Sequence, residues 1–152
     1  RTQETAAIIA DATGHSVELD SRLRERNYGV LEGLTVEEIK QKHSDVLDRL
    51  KKDDPDYLPP EGESHRQHYR RNVAFFEDLL EKRSGMTVAA VAHGGVLDSI
   101  FRYVSGLPLD HPRCFIAANA SLTTVSHGIF YGTPRWVIET WCETGHLDGI
   151  EN

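Results

Sequence analysis

The stretch Thr87-Val-Ala-Ala-Val-Ala-His93-Gly-Gly-Val-Leu97 constrains this chain more than any other. The six small or β-branched residues before His93 are too short a run for a helix and are bounded by glycines, so they read as a fully buried strand. Gly94-Gly95 then turn the chain into a helix whose inner face is Leu97, Ile100, Phe101 and Val104, closed by Gly106 and Pro108. A buried strand that feeds a helix predicts an α/β fold with a largely parallel sheet. It also delivers His93 to a strand's carboxyl end, where ligands of open α/β sheets collect. The helix start at Gly94 offers unpaired N–H groups and a positive dipole end, which suit phosphate. A histidine simply hydrogen-bonded in a strand-to-helix turn fits the same residues.

The flanking sequence alternates in kind. Residues 1–13 form a helix with Thr2, Ala6, Ile9 and Ala10 on one face, ended by Gly14, and Ser16–Leu19 follow as a short strand. Thr35 and Glu38 make a capping box that opens a helix running in pieces towards Lys52. Pro55, Pro59 and Pro60 mark a loop up to Gly62. Ser64 and Gln67 make a second capping box before Tyr69, Val73, Phe76 and Leu80 at helical spacing, with a stop near Ser84-Gly85. Strands are expected at Ser121–Ser126 and Trp136–Trp141, around Gly128 and Gly132-Thr-Pro134. No repeat or second domain is visible.

Length and charge narrow the function. A chain of 152 residues buries enough surface for a core without metal or disulfide staples. Lys plus Arg number 17 against 24 Asp plus Glu, a net charge of −7, which excludes a general nucleic-acid or anionic-membrane binder but leaves room for a local basic pocket. No apolar run is longer than that of Val88–Ala92, too short for a membrane span. Cys114 and Cys142 match no metal or redox spacing and read as free thiols of a reducing cytoplasm. The only methionine is Met86, so the chain is not expected to start at a translation start. Residues 1–14 have no apolar core of a signal peptide.

Two further stretches carry charge in unusual places. Glu25 sits among Arg22, Arg24 and Arg26, where cations lower a carboxylate's pKa and burial raises it; an exposed ion-paired loop fits as well. Arg1 heads a helix, opposing the dipole, which becomes sensible if Arg1 and the helix start share a bound phosphate. Glu63, His65 and His68 suggest a metal site, but Arg66, Arg70 and Arg71 would repel the cation and no third ligand is evident beyond them.

Taken in order, Arg1-Thr-Gln-Glu-Thr-Ala, Leu23-Arg-Glu25-Arg-Asn-Tyr-Gly-Val-Leu-Glu-Gly-Leu, Gly62-Glu-Ser64 and Ala92-His93-Gly-Gly-Val-Leu resemble the histidine phosphatase superfamily, which includes phosphoglycerate mutases and small phosphatases. The likeness continues through Asn119-Ala-Ser121-Leu-Thr and Thr144-Gly-His146-Leu. It implies a three-layer α/β/α fold of the phosphoglycerate mutase kind and no metal or organic cofactor. It implies a small phosphorylated substrate, gripped by Arg1 and the Gly94 amide. His93 would stabilise charge on the phosphoryl oxygens, and Glu25 would protonate the leaving oxygen and later activate water. Asn119, Ser121 and His146 match positions near the family's site, although packing accounts for His146 as readily.

One element of the pattern is missing. The family's nucleophile lies in a Leu-(Ile/Val)-Arg-His-Gly motif on the first strand, and no Arg-His-Gly occurs in these 152 residues. The expectation is a domain over residues 1–152 that lacks its first strand or strands, inactive as it stands and prone to pair with a second copy through an open sheet edge. The intact protein is expected to be a phosphomonoesterase, because Gly95-Val96 resembles the small phosphatases where mutases carry Asn-Ser after His-Gly. A mutase-type phosphoryl transfer and a non-catalytic relative that binds a phosphate ligand or a protein are the alternatives.

Overall fold

Both capping boxes expected from the sequence are formed, and they fix where the core helices begin. In a computed structural model that describes residues 1–149, α1 spans Thr2–Thr13, α2 Val36–Lys42, α3 Ser44–Leu50, α4 His65–Lys82 and α5 Gly94–Ser105. Thr35 and Ser64 each accept from the amide three residues on, while Glu38 and Gln67 reach back to the cap amides. The helix after Thr35 runs in two pieces because His43, at φ −141°, interrupts it between α2 and α3. No helix among the described residues is long and apolar enough to cross a membrane.

The core lies in the seam between α4 and α5. Phe75 and Phe76 of α4 meet Val96 and Ile100 of α5, and Leu23, Leu79, Leu97, Val104, Val125 and Trp136 pack around them. At the amino-terminal end of this seam the packing turns polar. His68 and Asn72 of α4 and Ser99 of α5 are all 1% exposed or less. Asn72 Nδ2 donates to Ser99 Oγ at 2.9 Å, and Ser99 Oγ donates to the Gly95 carbonyl at 3.1 Å, so the two helices are joined by a chain of hydrogen bonds rather than by contact alone.

The sheet differs from expectation. Among the described residues it is a two-stranded antiparallel hairpin, β1 Leu122–Phe130 and β2 Thr133–Glu143, with Val125 opposite Ile138 and His127 opposite Trp136. Both strands are longer than their apolar patterns suggested, because Tyr131 (φ 51°) and Gly132 (φ 81°) supply the two positive φ values of a tight hairpin turn and let pairing run up to it. β2 packs on α5, and its Trp136 reaches the α4–α5 core, with its ring 6.4 Å from that of Phe76. Phe101, Phe115 and Trp141 form an aromatic cluster with centroids 4.0–5.1 Å apart, and Trp141 Nε1 donates to the Ile116 carbonyl, tying down the chain that leads into β1.

Ser16–Leu19 and Thr87–Ala92, both read as strands, form no ladder. The cause is a missing neighbour: no backbone hydrogen bond joins residues 87–92 to another segment among the described residues, and a parallel strand has nothing to hold it but its ladder and the helices above and below. Residues 86–90 are exposed, contrary to a buried central strand. The two segments instead line a trough of about 1790 Å³ between α1 and α4, with Ala6, Ile9, Leu19, Phe75, Met86 and Val88 among its walls. The face of α1 predicted to be apolar therefore points into open space.

Two outcomes are expected. His68 is held down to about 4 from the usual 6.5, first by burial and then by the Arg71 charge, against the opposing pull of Glu63 and Glu25. The unfolded chain takes up this proton near pH 6.5 and the folded chain does not, so His68 lowers stability as pH falls from 6.5 to 4 by about 3 kcal/mol. Urea unfolding at pH 7 and pH 4.5 should show a smaller acid loss in His68→Gln than in the wild type; equal losses would refute the buried neutral ring. Secondly, the exposed apolar trough predicts self-association of the 152-residue chain, weakened by Val88→Lys, and light scattering that finds a monomer at about 100 μM would contradict it.

Candidate active site

Three separate segments converge at the amino-terminal end of α5. Arg1 is the residue before α1, and its Nη2 lies 3.3 Å from His93 Nδ1. Because a guanidinium only donates, Nδ1 of His93 is the acceptor and the ring proton sits on Nε2, facing Thr2 Oγ1 at 3.4 Å. Burial lowers the pKa of His93; the Glu25 carboxylate opposes this, while the Arg1 guanidinium adds to it. The ring is therefore biased towards its neutral form, with one N–H free to donate.

Glu25 is brought to His93 by a loop rather than by a regular element. Its Oε2 lies 3.9 Å from His93 Nδ1, and its Oε1 accepts from the Arg26 amide at 3.0 Å. The carboxyl rests directly against the first turn of α5, where a Cβ on Gly95 would stand 2.5 Å from Glu25 Oε1 and 2.9 Å from His68 Cε1. Glycine at 95 is thus a steric requirement for Glu25 to reach the site. Gly94 is the first residue of α5, and the amides of Val96 and Leu97 turn back to the His93 carbonyl. The Gly94 and Gly95 amides are left at the open end of the helix, beside His93.

The loop around Glu25 is anchored on both sides. Arg22 bridges Asp20 and Asp78 at 2.6 and 2.7 Å and lies over the Phe75 ring, which pins the chain before Glu25 to α4. After Glu25, the Glu63 amide donates to the Asn27 carbonyl and Arg26 Nε donates to the Glu63 carbonyl. Gly29 makes the closest approach, with φ 60° and its backbone packed against Pro60 and Gly62, where no side chain fits. The run of arginines around Glu25 is therefore divided in its work: Arg22 and Arg26 hold the loop and are not free to meet a ligand.

Arg1, Glu25, His93 and Gly94 are brought together; Asn119, Ser121 and His146 are not joined to them by any hydrogen bond or ion pair among the described residues. Ser121 Oγ donates to the Ala118 carbonyl, Asn119 lies exposed in the same turn, and His146 is exposed on the short turn Gly145–Leu147. The charged residues after Gly62 do not form a metal cluster: His65 bonds Asp98 at 3.1 Å, Glu63 pairs with Arg71, and no group of three such ligands occurs among the described residues. Sequence reasoning missed Thr2 and His68. His68 lay in the sequence as part of a polar run on a helix, and its burial became visible only with α5 packed on α4.

Glu25 and His93 stand on the rim of the α1–α4 trough, so a ligand held by Arg1, His93 and the Gly94 amide would face an acid from one side and open space from the other. Comparison with known proteins gives this arrangement a family. Residues 1–144 match the sequence model of the histidine phosphatase superfamily (branch 1). The "Probable phosphoglycerate mutase GpmB" of Yersinia pestis (strain Pestoides F) is 35% identical over 149 residues, which cover 97% of this chain and 69% of that protein. Among solved structures, a mycobacterial glucosyl-3-phosphoglycerate phosphatase in complex with inorganic phosphate superposes with a TM-score of 0.76 at 27% identity, covering 94% of this chain and 72% of the other. Bacillus stearothermophilus YhfR superposes with a TM-score of 0.83 at 28% identity, covering 97% and 72%. The α/β fold and the ordered motifs thus have one common source: the chain belongs to the histidine phosphatase superfamily, branch 1.

Proposed function

We propose that this chain is the acid- and phosphate-binding portion of a phosphatase that hydrolyses small phosphomonoesters, with the phosphoryl-accepting histidine outside these 152 residues. The observation that carries the reading is the meeting of Arg1, Glu25 and His93 at the start of α5, with Glu25 Oε2 3.9 Å from the His93 ring. A phosphate there meets a guanidinium fork, the N–H of a neutral imidazole and the amides of Gly94 and Gly95. These groups oppose the charge that builds on the equatorial oxygens during transfer. In the first step the ester P–O bond breaks, a P–N bond forms to the accepting histidine, and Glu25 gives its proton to the departing oxygen. In the second, water attacks phosphorus, the P–N bond breaks, and Glu25 takes a proton from that water.

A mutase is the second reading, favoured by the name of the Yersinia relative. It differs only in the acceptor of the second step, a substrate hydroxyl in place of water. Gly95-Val96 supports the phosphatase by its likeness to the small phosphatases, where mutases carry Asn-Ser after His-Gly. Assays of the intact protein for phosphate release from an aryl phosphate, and for isomerisation of 3-phosphoglycerate, separate the two. Glu25→Gln is expected to lower turnover about 10²–10⁴-fold and His93→Ala about 10²–10³-fold. Unchanged rates in both would refute the assignment. The 152-residue chain alone is expected to release no phosphate; turnover or a phosphorylated histidine on it would favour a nucleophile within this sequence, and phosphate binding without turnover by the intact protein would favour a non-catalytic relative.

A further inference from the structure

Glu25 sits on a loop, yet a general acid must hold its geometry to a fraction of an ångström, so something has to supply the rigidity a loop lacks. One turn of α4 does so. Arg71 Nη1 donates to the Arg22 carbonyl at 2.6 Å and Nη2 to the Glu25 carbonyl at 3.1 Å, while Nε and Nη2 hold the Glu63 carboxylate at 2.9 Å. Three residues earlier on α4, the His68 ring, 1% exposed, stands beside the same loop. His68 is itself fixed from behind by Asn72, whose Nδ2 reaches both the ring and Ser99 Oγ, and its Cε1 edge stands against Gly95 beside the Glu25 carboxyl. The geometry points to His68 and Arg71 as positioning residues for Glu25: Arg71 grips the main chain at Arg22 and Glu25, the buried His68 ring backs the carboxyl's seat at Gly95, and together they set where the carboxyl meets the leaving oxygen.

The choice of groups fits that task. Arg71 spends its charge on Glu63 and its remaining N–H groups on carbonyls, a planar fork that the point charge of lysine does not reproduce. His68 is neutral at pH 7, so the grip adds no net charge beside the acid. Leucine at 68 would fill much of the same space and lose the polar contact with Asn72. Glutamine would keep a polar group for Asn72 to meet.

The inference rests on Glu25 as the proton donor, and the test separates the two. A misplaced acid hurts substrates whose leaving group needs a proton and spares those whose leaving group does not. In the intact protein, His68→Leu and Arg71→Lys are expected to lower kcat/KM, which reports the first step alone, about 10–100-fold for glycerol phosphate and about 3-fold or less for p-nitrophenyl phosphate; the second step is common to both substrates. His68→Gln should restore the glycerol phosphate rate to within about 3-fold of wild type. A loss that is equal for the two substrates, or no loss, would overturn the positioning role. Glu25→Gln is run alongside: if it fails to discriminate between the substrates, the reading of Glu25 as the acid falls, whereas if it discriminates and the α4 variants do not, the positioning role alone falls. Should His68→Leu not fold, as judged by circular dichroism, Arg71→Lys and His68→Gln carry the same comparison.

Discussion

The contact on which the rest depends is the close approach of the Glu25 carboxyl to the backbone of Gly95. It is possible only because residue 95 has no side chain, and it happens only because the α4–α5 seam is drawn tight at that level by Asn72 and Ser99. Loosening the seam would move the start of α5, and with it His93 and the amides of Gly94 and Gly95, relative to a carboxyl that is fastened to α4. The seam is therefore polar where an apolar one would pack as well. Hydrophobic contacts between Phe75, Phe76, Val96 and Ile100 supply cohesion but tolerate sliding, whereas a buried hydrogen-bond chain fails if the register shifts.

The division of labour among the arginines follows from the same constraint. Arg22, Arg26 and Arg71 are bound to carbonyls and carboxylates of neighbouring segments, so a sequence that looks like a phosphate-gripping basic cluster is largely scaffold. Arg1, the one guanidinium found on His93, comes from the far end of the chain and from the first residue before a helix. In the proposed function that placement gives a reason for a cation at a helix start: beside a phosphate the dipole and the guanidinium would attract the same anion.

Helix ends, turn chemistry and the central motif were legible in the sequence because each depends on neighbours within a few residues. Thr35 with Glu38, Ser64 with Gln67, and the Gly94-Gly95 turn all formed as read. The convergence of Arg1, Glu25 and His93 was legible only through the order of family motifs, since no local rule joins residues 92 positions apart. What failed was whatever needs a partner strand. Thr87–Ala92 has the composition of a buried parallel strand and is exposed and unpaired, since a strand is a property of two segments and its pattern records only one.

That failure and the trough beside it have one cause. Thr87–Ala92, Ser16–Leu19 and the inward face of α1 are each apolar on the side that now meets open space, and all three border the same volume. Three segments far apart in sequence thus turn apolar side chains towards one common volume. The volume runs up to His93 and Glu25, so whatever fills it ends beside those two side chains. A strand there would pair with residues 87–92 and leave its carboxyl end at the same edge as His93, which is where a phosphoryl acceptor must stand for in-line transfer from a group held by Arg1. The open trough and the site therefore share one edge, and in the proposed function the phosphoryl-accepting histidine belongs at that edge.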